Sequence, residues 1–279
     1  MKNLLIRTLS GLIYILLILS GICFGTLSYV AVFGLLVVLC LYEFYQLMNA
    51  NESVTVRPLI NCAAGLYFFI ATFLYLSSGQ ANGILYLPYI LYVLGILIME
   101  LYLKRPNPIQ NWAYAFLGQL YIVLPLSTLH TLCLSFDPAA SVTVYSPVLL
   151  LALFSFIWIN DTFAYLVGMT FGKHRLFERI SPKKSWEGFV GGAVFSIASS
   201  FAFAHYVPEI PRMHWICMSV VTVIFATWGD LIESLLKRTL GVKDSGKMIP
   251  GHGGILDRMD SVLLAAPALA CCFYLLGEM

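Results

Sequence analysis

The chain has 279 residues, of which 60% are hydrophobic and 11% are charged, and its formal net charge is +2. A soluble globular domain carries about 25% charged residues, so this composition excludes an ordinary soluble protein. Apolar runs of about 20 residues, the length that spans a bilayer, recur from end to end. No polar stretch between them is long enough to form a soluble domain, so a soluble protein with a single membrane anchor is also excluded. Most of the chain is therefore predicted to lie in a membrane.

Nine apolar segments are long enough to cross a hydrocarbon core about 30 Å thick. They cover residues 8–25, 27–48, 58–78, 83–103, 112–134, 145–169, 186–206, 214–237 and 257–277. Because lipid offers the backbone no hydrogen-bond partners and no alternating strand pattern is present, these segments are predicted to be helices. The first follows Lys2 and Arg7 as a signal peptide would, but it lacks a small-residue cleavage site and is expected to be retained.

The basic residues are distributed unequally between the two sides of the predicted membrane. Of the 16 Lys and Arg residues, all but Arg212 fall in the terminal segment or the alternate loops that share one side. The positive-inside rule places that side in the cytoplasm. The fold class is therefore predicted to be an all-α polytopic membrane protein with about nine transmembrane helices, a cytoplasmic N-terminus and an outside C-terminus.

The predicted organisation has two parts. Residues 1–144 form an N-terminal transmembrane scaffold of about five helices, and residues 145–279 form a C-terminal catalytic region of about four helices. The C-terminal region carries two predicted cytoplasmic loops, 170–185 and 238–256, which hold most of the basic residues.

A few polar residues outside those loops allow more than one interpretation. Glu43 and Glu100 lie near the cytoplasmic ends of predicted spans, where each is either an interfacial carboxylate or a support for a site. The seven cysteines sit in or beside apolar segments without a C-x-x-C pair. They are predicted to be buried small hydrophobic residues rather than disulfide partners or metal ligands.

Acidic side chains occur inside the apolar segments of the C-terminal region, beginning with Asp161 in the sixth predicted span. Two further groups have the spacing of one helix face. They are Asp230, Glu233, Ser234 and Lys237 in the eighth span, and Asp257, Asp260 and Ser261 in the ninth. A carboxylate inside hydrocarbon costs about 2.5–3.5 kcal/mol on the scale of insertion experiments. Three helices that bear this cost at similar depth predict a polar pocket open to the cytoplasm. The alternative is an interhelical salt-bridge cluster that includes Arg258.

The chemistry of this pocket favours a metal ion and phosphates. Carboxylates are hard oxygen ligands suited to Mg²⁺, and the surrounding basic loops suit a polyanionic substrate. Glycines let backbone N–H groups approach an anion closely, and the N-terminus of the ninth span favours negative charge. The glycines of this region are Gly241, Gly246, Gly251, Gly253 and Gly254.

One motif in the same region is misleading. The segment 241–247 reads G-x-x-x-x-G-K, as in a nucleotide-binding P-loop. Met248 stands where the motif needs a Mg²⁺-binding Ser or Thr, and a membrane helix rather than a strand precedes it. The P-loop interpretation is therefore excluded.

The segment 234–260, SLLKRTLGVKDSGKMIPGHGGILDRMD, resembles the C-terminal signature of the phosphatidate cytidylyltransferase (CDP-diacylglycerol synthase) family. The matching positions are Ser234, Lys237, Arg238, Lys243, Asp244, Gly246, Ile249, Pro250, His252, Gly253, Gly254, Asp257, Arg258 and Asp260. The segments 160–162 and 181–188 (SPKKSWEG) also look like motifs of that family. By motif, the resemblance covers about the last 120 residues of the chain.

The resemblance implies a membrane enzyme that joins CTP and phosphatidic acid to give CDP-diacylglycerol and pyrophosphate, in phospholipid biosynthesis. It implies a Mg²⁺-dependent site with two cations, of which the second can be monovalent; Mn²⁺ stays open as an alternative to Mg²⁺. It also implies a homodimer in the bacterial cytoplasmic (inner) membrane, with the active site facing the cytoplasm and no nucleic acid partner. Because the lipid phosphate is itself a nucleophile, no Ser or Cys nucleophile is required, and catalysis consists mostly of alignment and charge neutralisation.

Roles for individual residues follow as a hypothesis from the resemblance. The catalytic residues are Asp230, Asp257, Lys237 and His252, and the metal ligands are Asp161, Asp230, Asp257 and Asp260. The substrate-binding residues are Lys183, Lys184, Ser185, Glu187, Ser234, Arg238, Lys243, Asp244, Gly253, Gly254 and Arg258. On this hypothesis the cationic side chains neutralise the triphosphate and the lipid phosphate. The other polar side chains orient these groups or read the cytosine.

Three other classes of protein remain as alternatives. Another CTP-using lipid enzyme, such as a polyprenol kinase or an archaeal-lipid cytidylyltransferase, would differ in its products. A transporter or channel would carry charges spread through the bilayer, whereas here the carboxylates cluster toward one face. A membrane scaffold protein gives no reason for the glycine, histidine and aspartate residues of the loop 238–256.

Overall fold

The computed structural model describes residues 2–51, 53–78, 82–137, 142–251 and 253–277. Its helices in the first half are α1 (Lys2–Cys23), α2 (Thr26–Asn49), α3 (Pro58–Ser77), α4 (Leu87–Leu103), α5 (Pro108–Gly118) and α6 (Leu124–Cys133). A 3₁₀ turn, Gly83–Tyr86, precedes α4, and a π-helical turn, Gln119–Val123, joins α5 to α6. The second half contains α7 (Val148–Phe171), α8 (Trp186–Tyr206), α9 (Arg212–Thr239) and α10 (Leu256–Leu275).

Eight helical segments in these described ranges are long and apolar enough to cross a membrane. They overlap the predicted spans from the second to the ninth. Helix α1 has 22 residues, and its apolar part, Thr8–Cys23, is shorter than those eight segments. The prediction of an all-α polytopic membrane fold is confirmed. The total of nine spans and the orientation of the two termini stay predictions.

Two antiparallel hairpins differ from the purely helical expectation. Strands β1 (Leu134–Asp137) and β2 (Val142–Tyr145) pair between α6 and α7, and β3 (Arg175–Phe177) and β4 (Ser181–Ser185) pair between α7 and α8. Each strand has at most five residues, which is too short to show a hydrophobic period in the sequence and too short to span a bilayer. The hairpins are therefore features of loops and leave the fold class unchanged.

The internal contacts divide the chain into two compact units. The first unit contains Met1–Ser146 and Asp244–Arg258, and the second contains Pro147–Lys243 and Met259–Met279. The glycine-rich segment before α10 therefore packs within the unit that holds the N-terminal helices. The assignment of catalysis to residues 145–279 concerns function and stays a prediction.

Buried polar side chains in the first unit satisfy one another. The ring of His130 is fully buried, with Nδ1 2.8 Å from the hydroxyl of Tyr29 and Nε2 2.9 Å from the carbonyl oxygen of Phe69. The side-chain amide of Gln119 donates to the carbonyl of Asn61 at 2.9 Å. An apolar surrounding makes an unpaired polar group costly, so these bonds fix how α2, α3 and α6 pack.

Helices α7 and α8 of the second unit pack closely because glycines line their contact. A Cβ atom at Gly192 would lie 2.5 Å from the side-chain oxygen of Asn160 and 2.6 Å from its carbonyl oxygen. A Cβ at Gly188 would lie 2.6 Å from the carbonyl oxygen of Ala164. Small residues permit this approach between membrane helices. The packing positions Asn160, which directly precedes Asp161.

We expect Gly192→Ala to lower the free energy of unfolding by about 1–3 kcal/mol, because the added methyl group cannot fit without moving a helix. Gly95→Ala is the matched control, since a Cβ at Gly95 in α4 meets nothing within 4 Å. The measurement is the thermal unfolding midpoint of each purified variant in detergent. Equal midpoints for the two variants would contradict the close packing of α7 on α8.

Candidate active site

In the second unit, Asp230 on α9 binds Lys184 of the motif 181–188 and Ser234 of the C-terminal signature. The ammonium group of Lys184, on β4, lies 2.6 Å from Oδ2 of Asp230. The hydroxyl of Ser234 donates to Oδ1 at 3.1 Å, which its place one helical turn later makes possible. The Lys184 and Asp230 side chains are 27% and 35% exposed, so the pair is accessible to a ligand.

A second ion pair lies one turn further along α9. The Glu233 side chain is fully buried and forms a salt bridge with the ammonium group of Lys237. A buried charge that loses its partner is strongly destabilising, so this pair fixes the position of Lys237. The sequence placed Glu233 on the face of Asp230 and gave it no role. The structure adds it as the partner of a predicted catalytic residue.

Two further carboxylates of the second unit lie near this cluster. Asp260 is close enough to Asp161, Asp230 and Glu233 for their charges to act on it. Its Oδ1 accepts a hydrogen bond from the backbone N–H of Ser261 at 2.6 Å. The residue before Asp230 is a glycine, and a Cβ there would lie 2.4 Å from the carbonyl oxygen of Asp260. A small residue at that position is what lets the backbones of α9 and α10 meet.

The donors of this cluster fit the predicted metal in chemistry. Asp161, Asp230, Glu233 and Asp260 offer carboxylate oxygens, the ligands that Mg²⁺ prefers, and two ammonium groups already bind the carboxylates of α9. Within the described part of the chain, no three His, Cys, Asp or Glu side chains converge closely enough to hold one ion. Binding of Mg²⁺ stays a prediction.

In the first unit, the carboxylate of Asp257 binds two parts of the glycine-rich segment, residues 244–256. The backbone N–H of Ser245 lies 3.2 and 3.0 Å from its two oxygens, and the N–H of Gly254 donates to Oδ2 at 2.8 Å. Gly253 has a φ of +86°, in the left-handed region that favours glycine. Asp257 therefore joins the beginning and the end of the segment. Metal binding by Asp257 stays a prediction.

Two carboxylates whose roles the sequence left open are both buried in the first unit. Glu100 accepts hydrogen bonds from Arg105 at 3.1 Å and from the side-chain amide of Asn111 at 3.2 Å, so it acts in packing between α4 and α5. Glu43 contacts the glycine-rich segment instead.

Several predicted substrate-binding side chains support local structure. The hydroxyl of Ser185 caps α8 by accepting the N–H of Gly188 at 3.1 Å. The carboxylate of Glu187 accepts the backbone N–H groups of Lys173 and His174. Arg238 donates to a backbone carbonyl at 3.3 Å. Their contacts with substrates stay predictions.

The remaining predicted residues are placed as follows. The exposed ones are Lys183, Lys243, Asp244 and Arg258. His252 lies outside the described residues. Exposed cationic side chains are the groups that a phosphate can reach from solvent, and Lys183, Lys243 and Arg258 are exposed in this way.

The comparisons with known proteins point to one family. The sequence model of the Cytidylyltransferase family matches residues 5–276. The phosphatidate cytidylyltransferase of Haemophilus influenzae is 30% identical over an alignment of 292 residues, which covers 96% of this chain and 98% of the relative. That of Thermotoga maritima is 33% identical over 194 residues, 67% of this chain and 68% of the relative. A phosphatidate cytidylyltransferase of Staphylococcus aureus is 46% identical over 118 residues, 42% of this chain and 45% of the relative.

Proposed function

Since the chain belongs to the cytidylyltransferase family, we propose that it transfers the cytidylyl group of CTP to phosphatidic acid. A lipid phosphate oxygen attacks the α-phosphorus of CTP, the bond between that phosphorus and the bridging oxygen to the β-phosphorus breaks, and pyrophosphate leaves with the electron pair. The products are CDP-diacylglycerol and pyrophosphate. The observation that carries the proposal is the accessible Asp230–Lys184 pair beside further carboxylates. The ammonium group can bind a phosphate, and the carboxylates can bind a cation that neutralises one.

The residues of the second unit orient and neutralise the reacting phosphates in this proposal. Lys184 exchanges its contact with Asp230 for a phosphate oxygen, because a charge-assisted hydrogen bond to phosphate is as favourable as one to a carboxylate. Lys237 stays in place through its buried partner Glu233. Mg²⁺ bound to carboxylates of this cluster, with Asp161, Asp230 and Asp260 as the candidate ligands, would supply charge neutralisation at the triphosphate.

The first unit contains the glycine-rich segment and the exposed Arg258 that follows it. Lys243, the residue of the second unit that directly precedes the segment, is also exposed. Asp257 keeps the segment in one shape through its bonds to Ser245 and Gly254. A fixed loop reduces the entropy lost when the substrate binds.

The location in the cell follows from the distribution of charge. An integral membrane protein with all but one of its Lys and Arg residues on one predicted side has that side in the cytoplasm, where CTP is made. We therefore place the phosphate-binding residues at the cytoplasmic face of the bacterial inner membrane. A homodimer stays a prediction from the family resemblance.

The test uses the purified full chain in mixed micelles with phosphatidic acid, Mg²⁺ and CTP labelled at the α- or the γ-phosphate. We expect the α-label to enter the lipid and the γ-label to appear in pyrophosphate. A lipid that carries the γ-label would identify a kinase instead. Omitting phosphatidic acid, or replacing it with a polyprenol or an ether-linked archaeal phospholipid, distinguishes the other CTP-using enzymes.

A further inference from the structure

We propose that Glu43 is a positioning residue that fixes the glycine-rich loop in its active shape. The glycine-rich loop comprises residues 244–256, of which the structure describes 244–251 and 253–256. Glu43 lies on α2, 202 residues before Ser245, and outside the C-terminal signature. The inference rests on the proposed function, because it assigns a residue to the same reaction.

The carboxylate of Glu43 binds both ends of the loop. Its Oε2 accepts the backbone N–H of Leu256 at 2.9 Å and the hydroxyl of Ser245 at 3.4 Å. The side chain is only 3% exposed. A buried carboxylate is costly in an apolar region, and these two bonds to the loop offset part of that cost.

The Glu43 carboxylate lies so close to two signature glycines that it leaves no space for a side chain. A Cβ at Gly246 would lie 2.3 Å from Oε1 of Glu43, and a Cβ at Gly254 would lie 2.4 Å from Oε2. Neither glycine has a positive φ, unlike Gly253. Their backbone conformations therefore accept other residues. At Gly246 it is the Glu43 side chain that excludes a side chain, and at Gly254 it is Glu43 together with the hydroxyl of Ser245, 2.2 Å from the added Cβ.

Glu43 and Asp257 bind different groups of the loop. Asp257 binds the backbone N–H groups of Ser245 and Gly254, whereas Glu43 binds the Ser245 hydroxyl and the Leu256 N–H. Asp257 belongs to the helix that follows the loop, and Glu43 belongs to a helix far away in sequence. Glu43 therefore ties the loop to α2 through a charged group, and it acts on the reaction through the loop rather than by touching substrate.

The test compares Glu43→Ala, Gly246→Ala and the double variant in the full-length enzyme. We expect each single variant to lower kcat by on the order of 10²-fold, the cost of a misplacement of about 1 Å. The double variant should fall less than about twofold further, because the added methyl group enters space that the carboxylate has left and the two sites couple. Glu43→Asp should recover part of kcat, and Gly95→Ala is the control. Independent losses that multiply would overturn the proposal.

A second measurement does not depend on the reaction. Hydrogen exchange of peptides that cover residues 244–256 should be at least about 10-fold faster in Glu43→Ala than in the wild type, with an unchanged rate in peptides of α7. Faster exchange without any CDP-lipid formed by the wild type would refute the proposed function and keep the positioning role. Unchanged exchange and unchanged kcat would refute the positioning role alone. If Glu43→Ala does not fold, Gly246→Ala carries both measurements.

Discussion

Asp257→Asn is expected to lower kcat by on the order of 10²–10³-fold, the effect of removing a group that organises charge in an active site. The carboxylate accepts N–H groups from Ser245 and Gly254, one from each end of the glycine-rich loop. Both donors bind Oδ2, and the N–H of Ser245 also lies 3.2 Å from Oδ1. In asparagine an NH₂ group replaces one of these oxygens and faces the Ser245 N–H, which weakens the closure of the loop. The negative charge predicted to act in catalysis is also lost.

The control for this substitution changes a carboxylate to an amide at an exposed site. Glu209 lies in an exposed loop between α8 and α9 and has no predicted role. The kcat of the Glu209→Gln variant should equal that of the wild type. Turnover of phosphatidic acid and CTP is measured together with the unfolding midpoint in detergent. Turnover within about twofold of the wild type in a folded Asp257→Asn protein would contradict the assignment of Asp257.

The helices could be predicted from the sequence because each is a local feature. Eight spanning segments of the described ranges overlap predicted apolar segments, since length and hydropathy alone decide whether a helix can cross a bilayer. Strands β3 and β4 could not be predicted in this way. They have three and five residues, and their pairing depends on the turn between them rather than on a hydrophobic period.

The candidate site was predictable as a set of residues and not as a set of contacts. A motif identified Lys184, and the place of a carboxylate inside an apolar segment identified Asp230. Their 2.6 Å contact joins β4 to α9, and no helical period relates two residues so far apart. The same holds for Glu43, whose position in the sequence is compatible with an interfacial carboxylate. Glu187 was predicted from a motif to bind substrate, and the motif gave no sign that its carboxylate also accepts the backbone N–H groups of residues 173 and 174.

Asp230→Asn is the second substitution with a large expected effect, and we expect it to lower kcat by on the order of 10³-fold. The substitution removes a carboxylate proposed to hold Mg²⁺ and leaves the ammonium group of Lys184 without its charged partner. Lys184→Met should lower kcat by about 10–10²-fold, because one phosphate contact is lost while the carboxylates remain. Lys173→Met, at an exposed lysine between α7 and β3, is the matched control and should retain wild-type kcat.

The double variant Asp230→Asn/Lys184→Met separates a role in catalysis from a role in stability. Both side chains are partly exposed, and an exposed ion pair contributes only about 0–1 kcal/mol to stability. The unfolding midpoints of all three variants should therefore stay near that of the wild type while kcat falls. If the two residues act on the same phosphate, the losses in kcat are less than multiplicative. A large drop in the unfolding midpoint with proportionate losses of activity would instead assign the pair to the packing of β4 against α9.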